Sequence, residues 1–227
     1  MSRVQSYDRG SVAYPAMQRI LITSGPTREY LDPVRYLTNG SSGRMGSALA
    51  EAVLQQGGQP VIVSGQVAIA YPSGAEVHWI ETTEQMLRRC LELFPQCTGV
   101  IGAAAPCDFQ PIAFSEQKIS KSKEGVITFR FSETPDVLAA LGRIKRLDQW
   151  SVAFALETEN GVRRALDKLK RKGCDFIVLN DSSAIGVDTA AFQIFDAAGE
   201  LRKELTGTKR ESAAEILRLV KTIELHS

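Results

Sequence analysis

The 227-residue chain has little of what marks a specialised environment. Lys plus Arg number 27 against 26 Asp plus Glu; a net charge of +1 offers no global attraction for nucleic acid or an anionic membrane, leaving only a local basic patch as a route to either. Histidine is nearly missing, with His78 and His226 the only two. Cys90, Cys97, Cys107 and Cys174 form no C-x-x-C pair, which argues against structural zinc or a disulfide framework and for buried thiols in a reducing cytosol. No serine–histidine or cysteine–histidine pair has local context, so hydrolysis through a covalent intermediate has little support. No apolar run is long enough to span a bilayer, and the polar residues Met1 to Gln18 lack the core of a signal peptide. Residues 1–18 read as a disordered leader, residues 19–227 as one domain, and the protein as cytoplasmic. There is no internal repeat and no Pro/Ser-rich linker.

What is present is an alternation of strand-like and helical stretches. Hydrophobic residues make up 44% of the chain, enough for a sizeable core. Buried strands are expected at Ile20–Thr23, Pro60–Gly65, Val77–Ile80, Gly99–Ala105, Ser151–Leu156 and Asp175–Asn180. Helices are expected at Met45–Gln56, Thr83–Phe94, Pro135–Leu141 with Thr134 as cap, Val162–Lys172 and Ser212–Glu224. Val126–Phe131 alternates in type and reads as an exposed or paired strand, and Phe192–Leu205 as a terminal hairpin. The pattern implies an α/β fold, a mostly parallel sheet covered on both faces, with ligands at the carboxyl ends of its strands.

Asn39-Gly-Ser-Ser-Gly-Arg-Met-Gly46 crowds Gly40, Gly43 and Gly46 with Ser41 and Ser42 at the start of a helix. Free N–H groups and the positive end of the macrodipole suit an anion there. An ordinary helix start, capped by Ser41 or Ser42, explains the same residues about equally well. The glycines lack the G-x-G-x-x-G spacing, and strand Pro60–Gly65 ends without a carboxylate, so a nicotinamide fold is disfavoured. No G-K-[ST] follows, so it is not a Walker A loop either. Asp108, just past the small residues Ala103, Ala104 and Ala105, could accept hydrogen bonds from a base or ribose, or simply make a turn. Lys118, Lys121 and Lys123 form a basic cluster, and Lys168 and Lys172 share a helix face at i,i+4. Lysines, glycines and amides at strand ends suit phosphoryl or nucleotidyl chemistry, where positioning and charge neutralisation supply most of the acceleration.

Thr23-Ser-Gly-Pro-Thr-Arg-Glu29, Asp32-Pro-Val-Arg-Tyr36 and the Asn39–Gly46 block together resemble the bacterial phosphopantothenoylcysteine synthetase domain. The likeness continues through Ala103–Phe109, Lys118-Ile-Ser-Lys121, Thr134–Leu138, Phe154–Thr158, Lys168–Lys172 and Asp175–Asp181. The resemblance implies a three-layer Rossmann-like sheet with an antiparallel extension, through which a homodimer forms near Val126–Phe131. It implies that CTP (ATP in the eukaryotic branch), with Mg²⁺, activates 4′-phosphopantothenate as an acyl-cytidylate that L-cysteine then attacks. By matching positions, Asn39 would hold the acyl-cytidylate and Lys118 would serve its turnover. Asp108 would bind cytidine beside Ala103, Ala104 and Ala105. Pro135, Asp136, Val137, Leu138, Phe154, Lys168 and Lys172 would line the nucleotide, with Lys121 nearby. Ser41, Ser42, Gly43, Met45 and Gly46 would sit near the phosphates. No protein metal ligands are implied. The chain is expected to be a stand-alone synthetase, with a separate decarboxylase a candidate partner.

Three positions depart from the family pattern. Pro106 stands within a motif that usually reads A-A-V-A-D-Y-R-P, Gln110 replaces its arginine, and Ser120 replaces the middle lysine of K-x-K-K. Lys118 and Lys121 survive, so activity is expected. The competing readings are a non-catalytic nucleotide-binding relative and, with less support, an NADP-dependent oxidoreductase.

Overall fold

Ile20, Leu21 and Ile22 are all buried, although successive strand side chains point to opposite faces of a sheet. Both faces must therefore be covered. In the computed structural model, which describes residues 18–121, 125–157, 160–181 and 189–224, they are. The chain runs through β1 (Arg19–Ser24), a hairpin of β2 (Arg28–Tyr30) and β3 (Tyr36–Thr38), α1 (Arg44–Gln55), β4 (Gln59–Ser64) and β5 (Glu76–Trp79). It continues with α2 (Thr83–Leu93), β6 (Gly99–Gly102), β7 (Phe109–Pro111), β8 (Phe131–Glu133) and α3 (Val137–Ile144). β9 (Trp150–Glu157), α4 (Gly161–Lys172), β10 (Phe176–Asp181), β11 (Thr189–Asp196), β12 (Leu201–Thr208) and α5 (Lys209–Glu224) complete it.

One eight-stranded sheet has the order β12-β11-β10-β9-β6-β1-β4-β5. The six strands from β5 to β10 run parallel, and β11 and β12 add an antiparallel hairpin at one edge. Ile20, Ile22, Ile62, Ile101, Val152 and Val178 pack under α1 and α5. Leu21, Val61, Val63, Val100, Ala153 and Ile177 pack under α2, α3 and α4. The three-layer, mostly parallel expectation holds. The four cysteines are free and buried, as their spacing suggested.

Four local expectations are corrected. β6 stops at Gly102 rather than Ala105: Ala103 and Ala105 still donate along β1 to the carbonyls of Thr23 and Gly25 (3.1 and 2.9 Å), but past Gly25 (φ 70°) only an isolated bridge, Pro26 to Ala105, follows. The strand expected over Val126–Phe131 begins only at Phe131: Pro111, its partner on β7, has no N–H, and a single bond from Ile112 N–H to the Arg130 carbonyl (3.0 Å) reaches further. Helix α3 is capped by Asp136, whose side chain accepts from Ala139 N–H (3.0 Å), and the Thr134 hydroxyl instead donates to the Cys107 carbonyl (2.5 Å). Helix α1 starts after Gly43 (φ 72°) with no side-chain cap, so neither Ser41 nor Ser42 plays that part. Residues 1–17 of the leader, Lys123, Thr158 and His226 lie outside the described residues.

Candidate functional site

β1 sits between β4 and β6, so the chain leaves it first to one side and later to the other. At such a switch point the connections diverge and leave a crevice beyond the strand ends. A cleft of about 990 Å³ opens there, at the upper end of the usual range for small-molecule sites.

Gly40, Ser41, Ser42, Gly43, Arg44 and Met45 form one wall. With no side chain capping α1, its first turn presents main-chain donors and the positive end of the helix dipole. The opposite wall is Ala103, Ala104, Pro106, Cys107 and Asp108. The N–H groups here are committed: Ala104 donates to Thr23 Oγ1 (3.3 Å) and Cys107 to Thr27 Oγ1 (2.8 Å), while Pro106 has none. This wall therefore meets a ligand through carbonyls, methyl faces and the exposed Asp108 carboxylate. Thr27 is itself fixed, its hydroxyl 2.9 Å from that of Thr83, which with its own N–H (2.7 and 2.8 Å) donates to the buried Glu29. The two walls are joined by Asn39, whose Nδ2 donates to the Pro106 carbonyl (2.9 Å).

Pro135, Asp136, Val137, Leu138, Phe154 and Phe192 supply a mostly apolar base. Arg44, Arg164, Lys168, Arg171, Lys172 and Lys209 line the cleft with positive charge, facing Asp108, Glu133, Asp136 and Asp167. Asp136 ties two helices together: it caps α3, bonds the Lys172 ammonium and lies 3.5 Å from Arg171. Burial works to raise its carboxyl pKa, but Lys172, the Ala139 N–H and Arg171 outweigh it and hold the group below the usual carboxylate range.

The structure thus gathers Ser41, Ser42, Gly43, Met45, Ala103, Ala104, Asp108, Pro135, Asp136, Val137, Leu138, Phe154, Lys168 and Lys172 in one place. Gly46 packs behind the bend against Ser24, Asn39 bridges at the rim, and Ala105 is bridged to Pro26. Lys118 and Lys121 are exposed and do not line the cleft. Their segment is held by the turn before β3: Ile119 N–H donates to Asp32 Oδ2 (3.1 Å), Arg35 Nη1 to the Ile119 carbonyl (2.9 Å) and Ser115 N–H to the Leu31 carbonyl (3.0 Å). Burial would raise the Asp32 carboxyl; the N–H groups of Val34, Ile119 and Arg35 and the Arg35 guanidinium bring it down to about 2.

Arg44, Arg164, Arg171, Lys209 and Phe192 also line the cleft without being singled out from the sequence, and Asn180, which by its place after a buried strand reads as a turn residue, lines it too. Arg164 was within reach, since Arg164, Lys168 and Lys172 repeat every fourth residue on α4. Lys209 and Phe192 were not, because only the fold of β11 and α5 against β10 brings them there.

Comparison with known proteins gives a consistent picture. The family model of the DNA/pantothenate metabolism flavoprotein C-terminal domain matches residues 16–223. The chain is 39% identical over 213 residues to a cysteine/cysteine sulfinic acid decarboxylase of an unknown prokaryotic organism, covering 91% of this chain and 58% of that protein. It is 38% identical over 205 residues to the coenzyme A biosynthesis bifunctional protein CoaBC of Bacillus subtilis (strain 168), covering 88% and 50%. It thus spans about half the length of the curated relatives it matches. The crystal structure of the C-terminal domain of a coenzyme A biosynthesis bifunctional protein CoaBC has a TM-score of 0.80 at 33% identity, covering 92% of this chain and 97% of that one.

Proposed function

The chain belongs to the DNA/pantothenate metabolism flavoprotein C-terminal domain family, the phosphopantothenoylcysteine synthetase half of CoaBC, and from that premise we propose that it is a CTP-dependent phosphopantothenate–cysteine ligase. The 4′-phosphopantothenate carboxylate attacks the α-phosphorus of CTP, forming an acyl-cytidylate and releasing pyrophosphate. The amine of L-cysteine then attacks the acyl carbon, forming the amide and releasing CMP and a proton. The observation that carries this is the meeting of an uncapped helix start with the α4 cations across one cleft. Triphosphate charge would fall between them, where fixed donors and cations stabilise it most. Asp108 and the Ala103–Ala105 segment take the cytidine, Phe154 and Pro135–Leu138 its apolar side, and Asn39 the acyl-cytidylate. Among the described residues no group of three or more His, Cys, Asp or Glu could hold a metal, so they do not fit a resident ion. Mg²⁺ would arrive with the triphosphate, as part of the substrate. Four buried free thiols suit the cytoplasm, and among the described residues no helix is long and apolar enough to cross a membrane.

The test is a melting screen of CTP, ATP, GTP and UTP with Mg²⁺, followed by pyrophosphate release. A ligand of the folded state adds about 2.7 kcal/mol at a hundredfold excess over Kd, so CTP should give a clear shift. Sustained pyrophosphate release should require both 4′-phosphopantothenate and cysteine. Silence with CTP and ATP alike would end the ligase reading. One observation favours a second reading, a nucleotide-binding relative without turnover: Lys118 lies outside the cleft. That reading expects the melting shift but no pyrophosphate. Under the ligase reading, Lys118 serves turnover by cysteine, and pyrophosphate release accompanies the shift.

We also propose a homodimer. Phe109, Ile112, Phe114, Val126, Ile127, Phe129 and Phe131 are all exposed on the arm built from β7, β8 and their flanks. Apolar side chains gathered this way mark an interaction surface, and a second copy of the same arm is a self-complementary partner. Sedimentation should give twice the chain mass for the wild type, and the chain mass for Phe129→Ser/Phe131→Ser. A monomeric wild type at micromolar concentration removes the proposal.

A further inference from the structure

Three hydroxyl groups lie directly behind the glycine bend, outside the cleft lining. Tyr71 donates to Ser24 Oγ (2.8 Å), and Ser24 donates, at the long distance of 3.4 Å, to the Gly43 carbonyl. Ser64 donates to the Gly65 carbonyl (2.7 Å), and its oxygen lies 2.7 Å from that of Tyr71. Each hydroxyl has one proton, so with Ser64 serving Gly65 the Tyr71 proton goes to Ser24 and the Ser24 proton to Gly43. The relay runs Tyr71 to Ser24 to Gly43, and neighbouring bonds strengthen one another. Ser24 and Ser64 are fully buried, and the Tyr71 ring is held against Trp79 at a centroid distance of 5.8 Å. Backbone and hydroxyls fit without slack. A Cβ at Gly46 would lie 2.1 Å from Ser24 Oγ, and one at Gly43 would lie 3.1 Å from the Tyr71 oxygen.

The consequence lies in the peptide that joins Gly43 to Arg44. It is planar and trans, so its N–H points opposite to its carbonyl. The carbonyl faces Ser24 and also accepts from Ser47 N–H (3.0 Å). With the carbonyl held on that side, the Arg44 N–H is turned the other way, at the stretch of bend that lines the cleft.

We propose that the Tyr71–Ser24 hydroxyl pair is the floor that aims the Arg44 N–H at the nucleotide phosphates beyond the first, with Tyr71 a positioning residue for the ligase. This rests on the CTP-dependent reading above. Tyr71→Phe removes one hydroxyl and keeps the ring against Trp79, and Ser24→Ala breaks the next link with little change of volume. Calorimetric titration of wild type and variants with CTP and with CMP reads the effect. Tyr71→Phe should weaken CTP by about three- to tenfold, the worth of one hydrogen bond, and leave CMP within about twofold. The double variant Ser24→Ala/Tyr71→Phe should be no weaker than the worse single one, because both act through one chain. Equal weakening of CTP and CMP, additive losses, or an unchanged CTP affinity in Tyr71→Phe each overturn the positioning role while the ligase reading stands. Failure of the wild type to bind CTP overturns the ligase reading and the role with it.

Discussion

Asn39→Asp is expected to lower kcat for ligation by about 100- to 1000-fold, the range for removing a donor that fixes charge in a reacting centre. The side-chain amide is the clasp between the glycine bend and the Ala103–Asp108 wall, through its 2.9 Å bond to the Pro106 carbonyl. A carboxylate there sets oxygen lone pairs against that carbonyl, so attraction becomes repulsion and the two walls part. On the proposed ligase reading, it also adds a negative charge where a triphosphate and an acyl-cytidylate would sit. Asn39 is exposed, so the stability change should stay within about 0.5 kcal/mol. Steady-state pyrophosphate release with CTP, 4′-phosphopantothenate and L-cysteine is the measurement, with urea unfolding as control. Asn39→Ala, which loses the clasp without adding charge, should fall between the two. A kcat for Asn39→Asp within threefold of the wild type would show that the clasp is not part of the site.

Gly65→Ala should be the most destabilising of the small substitutions near the cleft. β1 and β4 stay in register up to Ser24 and Ser64, and just beyond, Gly65 N–H donates to the Ser24 carbonyl (3.2 Å). A Cβ on Gly65 would lie 1.5 Å from the Pro26 carbonyl oxygen and 2.7 Å from its carbon. Both atoms are backbone, so no rotamer change relieves the clash and one of two buried turns must shift. Overpacking of side chains costs roughly 1–3 kcal/mol; a clash with the main chain should cost about 3 kcal/mol or more. For a chain of this size, that lowers Tm by roughly 6–12 °C. Gly40→Ala is the control: nothing lies within 4 Å of the added atom and its φ is not in the left-handed region, so the change should be below about 0.5 kcal/mol. Equal melting temperatures for both variants would refute this account of the close approach.

Much of the fold was legible in the sequence because both faces of the sheet are buried. Ile20–Thr23, Pro60–Gly65 and Ser151–Leu156 read as continuous apolar runs, and their strands formed within a residue or two of those limits. The hairpin β2–β3 was not anticipated: its three-residue strands, Arg28–Tyr30 and Tyr36–Thr38, carry charged and half-exposed side chains with no period to detect. Caps misled for a different reason. Ser41, Ser42 and Thr134 are good caps by type, yet Gly43 and Asp136 start the helices. Which nearby oxygen reaches an N–H depends on the path of the incoming chain. That path is set by Thr134 bonding Cys107 and by Gly43 resting over Ser24.

What the sequence determined by itself is the layered α/β sheet, the reduced cysteines and the short blocks that carry the family resemblance. Each is a local pattern of residue types. The tertiary structure alone decided that the bend, the Ala103–Asp108 wall and the α4 cations share one cleft, while Lys118 stands outside it at the Asp32 turn. Those groups are separated by tens of residues. Their meeting follows from the strand order, with β6 beside β1 and β9 beyond it, which sends the chain to opposite sides of β1 and leaves the crevice between.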